Sequence, residues 1–161
     1  MTIKVGDKVP DATLMHMTES GPAPITTQEL FGGKKVALFA VPGAFTPTCS
    51  AQHLPGFVGH ADEIKGKGVD TIACVSVNDA FVMAAWGEDR DVGDKVMMLA
   101  DGNLDLTNKL GLELDGSKFG LGQRSQRYSM IVDDGVVTNL NIEGPGQFEV
   151  SKAEVIVDQL G

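Results

Sequence analysis

An α/β sandwich with a central mixed β-sheet flanked by helices is the fold this sequence predicts, and three observations predict it. Lys35 to Val41 and Val69 to Val77 are near-continuous apolar runs of strand length, as expected of strands buried on both faces. The segment between them reads as a helix, so run, helix and run make a right-handed βαβ unit. Further on, Tyr128 to Val132 and Val136 to Ile142 flank Asp134-Gly135, a dipeptide suited to a tight hairpin turn.

The remaining elements follow in order. Pro47 to about Lys65 is the predicted first long helix, with Thr46 as its N-cap and Pro47 at the first helical position. Asn78-Asp79 caps a second helix carrying Phe81, Val82, Ala85 and Trp86. Val96 to Ala100 is another strand, and a short helix opened by Asp101 or Asn103 closes at Gly111. Ser151 and Glu154 suggest a capping box for a last helix ending near Leu160. No repeat, low-complexity tract or linker interrupts the pattern, so residues 1–161 are expected to form a single domain.

Composition narrows the function. Apolar residues make up 42% and charged residues 22%, a globular balance. A net charge of −9, spread along the chain, disfavours nucleic acid or an anionic membrane as partner. The apolar runs are too short to span a bilayer, and the N-terminus has neither a signal core nor transit character. The expected location is therefore cytoplasmic. In a reducing compartment Cys49 and Cys74 are buried apolar residues, metal ligands or reactive thiols. His16, His53 and His60 show no ligand-like spacing with either, so no metal site is expected.

The chemistry points to Val41-Pro42-Gly43-Ala44-Phe45-Thr46-Pro47-Thr48-Cys49-Ser50-Ala51-Gln52-His53-Leu54-Pro55-Gly56-Phe57, beyond the carboxyl end of a central strand, where α/β folds place ligands. Cys49 falls at the third helical position, among the unpaired N–H groups of the first turn. Those donors and the positive helix end favour thiolate over thiol, and thiolate is the attacking form. A capped helix start with one inert buried cysteine is the alternative that physics alone leaves open.

Pro42, Thr46 and Cys49 together resemble the P-x-x-x-T-x-x-C active-site motif of peroxiredoxins. Pro42 to Phe57, Cys74 to Val82 and Gly122-Gln123-Arg124-Ser125-Gln126-Arg127-Tyr128-Ser129 are similar, in order, to blocks of the type II or peroxiredoxin-five branch. The resemblance implies a thioredoxin-like fold and a thiol peroxidase that reduces hydrogen peroxide and organic hydroperoxides. In it Cys49 is the peroxidatic cysteine, Thr46 hydrogen-bonds the peroxide, Pro42 shields the thiolate and Arg127 sits beside the sulfur. The product would be a sulfenic acid. The same resemblance implies a homodimer, with Phe45 and Phe81 candidates for its contact.

No cofactor is expected beyond an external thiol. The loop Gly144 to Ser151 carries no cysteine, and Cys74, inside an apolar run, reads as structural. One-cysteine turnover resolved by glutathione or glutaredoxin is the expectation, with thioredoxin as another reductant of the same class. His53 either tunes the thiolate and pocket or holds local backbone. Arg124 reads as a surface charge in preference to a second positive group at the pocket, and Trp86 and Phe81 as core or interface residues. Asp101 to Leu112 departs from a calcium loop at its sixth and twelfth positions, and Gly120-Leu121-Gly122 lacks a dinucleotide setting. A dithiol reductase would want a second cysteine in place of Gln52. A redox-sensing or chaperone-like binding protein of the same fold is the non-enzymatic rival.

Overall fold

The two apolar runs predicted as buried strands lie side by side at the centre of the computed structural model, which describes residues 2–161. The strands are β1 (Thr13–Thr18), β2 (Gly21–Thr26), β3 (Lys35–Val41), β4 (Thr71–Ser76), β5 (Met97–Ala100), β6 (Glu113–Asp115), β7 (Gln123–Ser125), β8 (Tyr128–Asp133) and β9 (Val136–Ile142). The helices are α1 (Thr27–Phe31), α2 (Leu54–Gly59), α3 (Ala61–Gly66), α4 (Ala80–Asp89), α5 (Asp105–Leu110) and α6 (Ala153–Leu160), joined by a π-helical turn, Cys49–His53, and a 3-10 turn, Ser117–Phe119.

A seven-stranded mixed sheet runs β2-β1-β5-β4-β3-β8-β9. Strands β3, β4 and β5 are parallel, with Val36 opposite Thr71 and Ala73 opposite Met97. Strands β1 and β8 run antiparallel to β5 and β3. Alternate residues of each central strand face opposite layers. Ala37, Phe39, Val41, Ile72, Cys74 and Ile131 pack against α2, α3, α4 and α6, and Phe39 stacks on Phe57 at 4.0 Å. Val36, Leu38, Ala40, Ala73, Val75 and Met130 pack against α1 and α5 on the other face. No helix among the described residues is long and apolar enough to cross a membrane.

Several local expectations hold. Asp79 caps α4 by accepting the Val82 N–H at 2.8 Å. Asp134 (φ 47°) and Gly135 (φ 83°) both take the left-handed conformation that a two-residue hairpin turn requires. Gly111, at φ 72°, ends α5.

Others are corrected. The single helix Pro47–Lys65 is broken twice. Pro55 has no N–H for the Ala51 carbonyl, and just before it the Leu54 N–H reaches back five residues to the Cys49 carbonyl. At His60 (φ −100°, ψ 7°) the axis breaks again between α2 and α3. The Ser151 capping box does not form: Lys152 is the N-cap of α6, without a side-chain bond, and the Ser151 hydroxyl donates to Glu143 instead. Helix α5 opens at Leu104 in a left-handed conformation, and Asp101 reaches past it to accept from the N–H groups of Leu106 and Thr107. The hairpin β1-β2 has no counterpart in the sequence reading. Its outer strand contains Pro22 and Pro24, which obscure a strand pattern and are tolerated only at a sheet edge.

Candidate active site

Strand β3 delivers the chain into a tight turn, Pro42 to Thr46, and helical backbone begins at Pro47. The turn is pinned from several sides. The Ala44 N–H donates to Asn78 Oδ1 at 3.0 Å, and Asn78 also accepts from Ser76 Oγ at 2.6 Å. Phe45 is held at φ 64°, a conformation that costs a non-glycine residue roughly 1–3 kcal/mol and so depends on this support. A Cβ at Gly43 would come within 3.1 Å of Thr46 Cγ2 and 3.3 Å of Arg124 Nη1, so a larger residue there would press on both side chains.

Cys49 is the third helical residue, as its spacing from Pro47 predicts, and its N–H has no acceptor among the described residues. Thr46 differs from the simple cap. Its hydroxyl donates to the Gly43 carbonyl at 2.7 Å and does not receive the Cys49 N–H, while its own carbonyl accepts from Ser50. Beside Cys49, Ser50 accepts the indole N–H of the fully buried Trp86 at 2.8 Å, fixing the first turn to α4. Phe81, five residues before Trp86, is exposed instead.

Arg127, one residue before β8, reaches the sulfur. Its Nη2 donates to Cys49 Sγ at 3.0 Å and its Nη1 to His53 Nδ1 at 2.8 Å. The other ring nitrogen of His53, Nε2, donates to the Ser151 carbonyl at 3.0 Å. Burial first, and then the neighbouring Arg127 charge, hold the imidazole down to about 3, so it is neutral at ordinary pH. A neutral ring that donates through Nε2 must accept at Nδ1, which is what Arg127 needs. Of the two roles open to His53, the structure therefore shows a structural link to the arginine as well as to backbone.

A cleft of about 370 Å³ opens above this group, lined by Pro42, Thr48, Leu114, Arg127, Glu143 and Pro145 among others. The cleft reaches Arg127 but not the sulfur. Cys49 is fully buried and belongs to the apolar cluster between the sheet and the helices. Cys74 is equally buried in the middle of β4 and belongs to the same apolar cluster. Burial pushes its thiol well above the ordinary cysteine range. Both thiols are free.

Pro42, Thr46, Cys49 and Arg127 thus converge at one sheet end. Arg124 is corrected from a surface charge to a half-buried tether, donating to the carbonyls of Leu121 and Val77 at 2.9 and 3.2 Å. Phe148, not singled out by sequence, packs edge-on against His53 at 4.9 Å and lies 5.7 Å below the Arg127 guanidinium. No sequence signal announces the His53–Ser151 contact, because 98 positions separate the two. Among the described residues, no group of three or more His, Cys, Asp or Glu side chains is placed to hold a metal ion.

With that geometry in hand, similarity to known proteins is informative. A family model described as Redoxin matches residues 4–157. The chain is 53% identical to a protein named peroxiredoxin-2E, chloroplastic, from Arabidopsis thaliana, over 99% of this chain and 70% of that protein. It is 43% identical to the hybrid peroxiredoxin hyPrx5 of Haemophilus influenzae, over 99% of this chain and 67% of that one. Among solved structures, reduced Prx3 of Vibrio vulnificus in complex with hydrogen peroxide superposes with a TM-score of 0.96 at 57% identity, covering 99% and 100% of the two chains. Peroxiredoxin 5 from Alvinella pompejana gives 0.85 at 39% identity, covering 98% and 97%.

Proposed function

Because the chain belongs to the redoxin family and is a peroxiredoxin of thioredoxin-like fold, a thiol-dependent peroxidase, we propose that Cys49 is the sulfur that attacks the hydroperoxide. The observation that carries this assignment is the 3.0 Å bond from Arg127 Nη2 to Cys49 Sγ. A thiolate accepts such a charge-assisted bond far better than a thiol, and the same cation faces charge that develops on the departing oxygen.

In the reaction we assign, the Cys49 thiolate attacks one peroxide oxygen. The S–O bond forms as the O–O bond breaks, and the other oxygen takes a proton and leaves as water or alcohol. Cys49 is left as a sulfenic acid. Thr46 turns its hydroxyl from the Gly43 carbonyl toward the substrate, and Pro42 screens the sulfur from water. Because the sulfur is fully buried and does not line the cleft, its surroundings must shift to admit substrate.

We propose that an external thiol condenses with the sulfenic acid, releasing water and forming a mixed disulfide, and that a second thiol then frees Cys49. Glutathione, with or without glutaredoxin, is the reductant class proposed, and thioredoxin the alternative. Cys74 takes no part: it is buried in a strand and its raised thiol pKa keeps it protonated. The two free thiols suit a reducing compartment, and the cytoplasm is the location proposed. Phe45 and Phe81, half or more exposed next to the active-site turn, are the proposed contact of a homodimer. Peroxide consumption with glutathione and glutaredoxin tests the resolution step. Cys74→Ser is expected to keep native turnover within about twofold, and a loss matching that of Cys49→Ser would overturn the one-cysteine account.

A further inference from the structure

Glu143 follows β9 and lines the same cleft as Arg127, and its backbone N–H donates to the Arg127 carbonyl at 3.0 Å. A buried carboxylate so close to a guanidinium would ordinarily pair with it. It does not: among the described residues no ion pair engages Arg127. Instead Glu143 Oε2 accepts the Glu149 N–H at 2.7 Å, the Ser151 N–H at 2.8 Å and the Ser151 hydroxyl at 2.6 Å. Burial alone would raise this carboxyl, yet the donors from Ser151 and the loop backbone bring it below the usual carboxylate range. The anion is spent on holding one loop.

That loop carries two contacts to the reacting group. The Ser151 carbonyl accepts from His53 Nε2, and Phe148 packs against both the imidazole and the guanidinium. We propose that Glu143 is a positioning residue for the peroxidase, fixing Ser151 so that His53 stays in the tautomer that accepts from Arg127 and aims the guanidinium at Cys49. The physical advantage lies in the neutral intermediary. A carboxylate bonded directly to Arg127 would orient it and also cancel much of its charge, whereas the imidazole orients it and leaves the charge facing the sulfur. Geometry is transmitted from Glu143 through Ser151 and His53 to Arg127, and along that path two residues separate the carboxylate from the guanidinium.

The inference rests on Cys49 being the nucleophile, and the experiment separates the two. The rate of Cys49 oxidation by hydrogen peroxide is measured by stopped flow in a double-mutant cycle of Glu143→Ala and Arg127→Gln. Glu143→Ala is expected to slow oxidation about tenfold in the native background and less than about twofold when Arg127 is already replaced. An equal factor in both backgrounds, or no effect in either, overturns the relay. Ser151→Ala removes one bond to the carboxylate and keeps the carbonyl. It provides a milder arm should Glu143→Ala fold poorly, with a slowdown of about threefold that again vanishes without Arg127. Nitrogen NMR of the His53 ring supplies a readout independent of rate. A single Nε2–H tautomer is expected in the native protein and a mixture in Glu143→Ala; retention of the single tautomer overturns the proposal. Undiminished peroxide consumption by Cys49→Ser would instead defeat the assignment of Cys49 as the nucleophile.

Discussion

Cys49 and Cys74 share nearly everything a burial argument can see. Both are fully buried, both are free thiols, and both belong to the apolar cluster between the sheet and α2, α3, α4 and α6. Their partners differ. Cys49 stands in a first helical turn with an N–H unpaired among the described residues and a guanidinium donor at 3.0 Å, whereas Cys74 sits mid-strand with its backbone committed to β3 and β5. Burial raises the Cys74 thiol, and among the described residues only the Cys49 sulfur receives a side-chain donor. We propose that reactivity in this molecule is decided by what touches the sulfur and not by how deeply it lies.

The comparison can be broken in several ways, beginning with the largest effect. Cys49→Ser should lower the rate constant with hydrogen peroxide roughly a millionfold, the low end of enzymatic enhancement, as followed by peroxide consumption. His53 supplies the next effect, in stability. Its imidazole titrates near 3 in the fold and near 6.5 when unfolded, chiefly because burial opposes the charged form. Below pH 6.5 the unfolded chain therefore binds the proton that the folded chain refuses, and stability falls as pH drops toward 3. The loss is on the order of 4 to 5 kcal/mol over that window. Urea midpoints for native protein and His53→Gln measure it; parallel pH slopes would count against a buried neutral ring. Arg127→Gln should slow Cys49 oxidation about a hundredfold by stopped flow, the usual cost of one preorganised donor. The smallest effect belongs to Cys74→Ala, expected to cost about 1 kcal/mol in urea unfolding and to leave the peroxide rate within about twofold.

The sequence disclosed the fold wherever a pattern was local. Continuous apolar runs announced β3 and β4, Asp134-Gly135 announced the hairpin of β8 and β9, and Asp79 announced the start of α4. It misled where one local signal met a stronger tertiary demand. Ser151 looked like a helix cap, but its hydroxyl was claimed by Glu143. Pro55 sat inside a helical stretch, and the chain answered with a widened turn beginning at Cys49 itself. Of the site, Cys49 could be placed by register, but Arg127 was visible only through the resemblance to a family. Its partner His53 and the Ser151 carbonyl that holds the far side of that ring lie 98 positions apart, and nothing in their neighbours marks them as a pair. The left-handed Phe45 and the sealed sulfur are likewise consequences of packing, which no spacing rule contains.

The contrast between the two thiols can be read in one experiment. Native protein is exposed to one equivalent of hydrogen peroxide with dimedone present, and each cysteine-bearing peptide is weighed by mass spectrometry. The adduct is expected on the Cys49 peptide alone, and is expected to be nearly lost in Arg127→Gln. Equal labelling of Cys74, or labelling of Cys49 that does not depend on Arg127, would contradict the claim that the guanidinium contact distinguishes them.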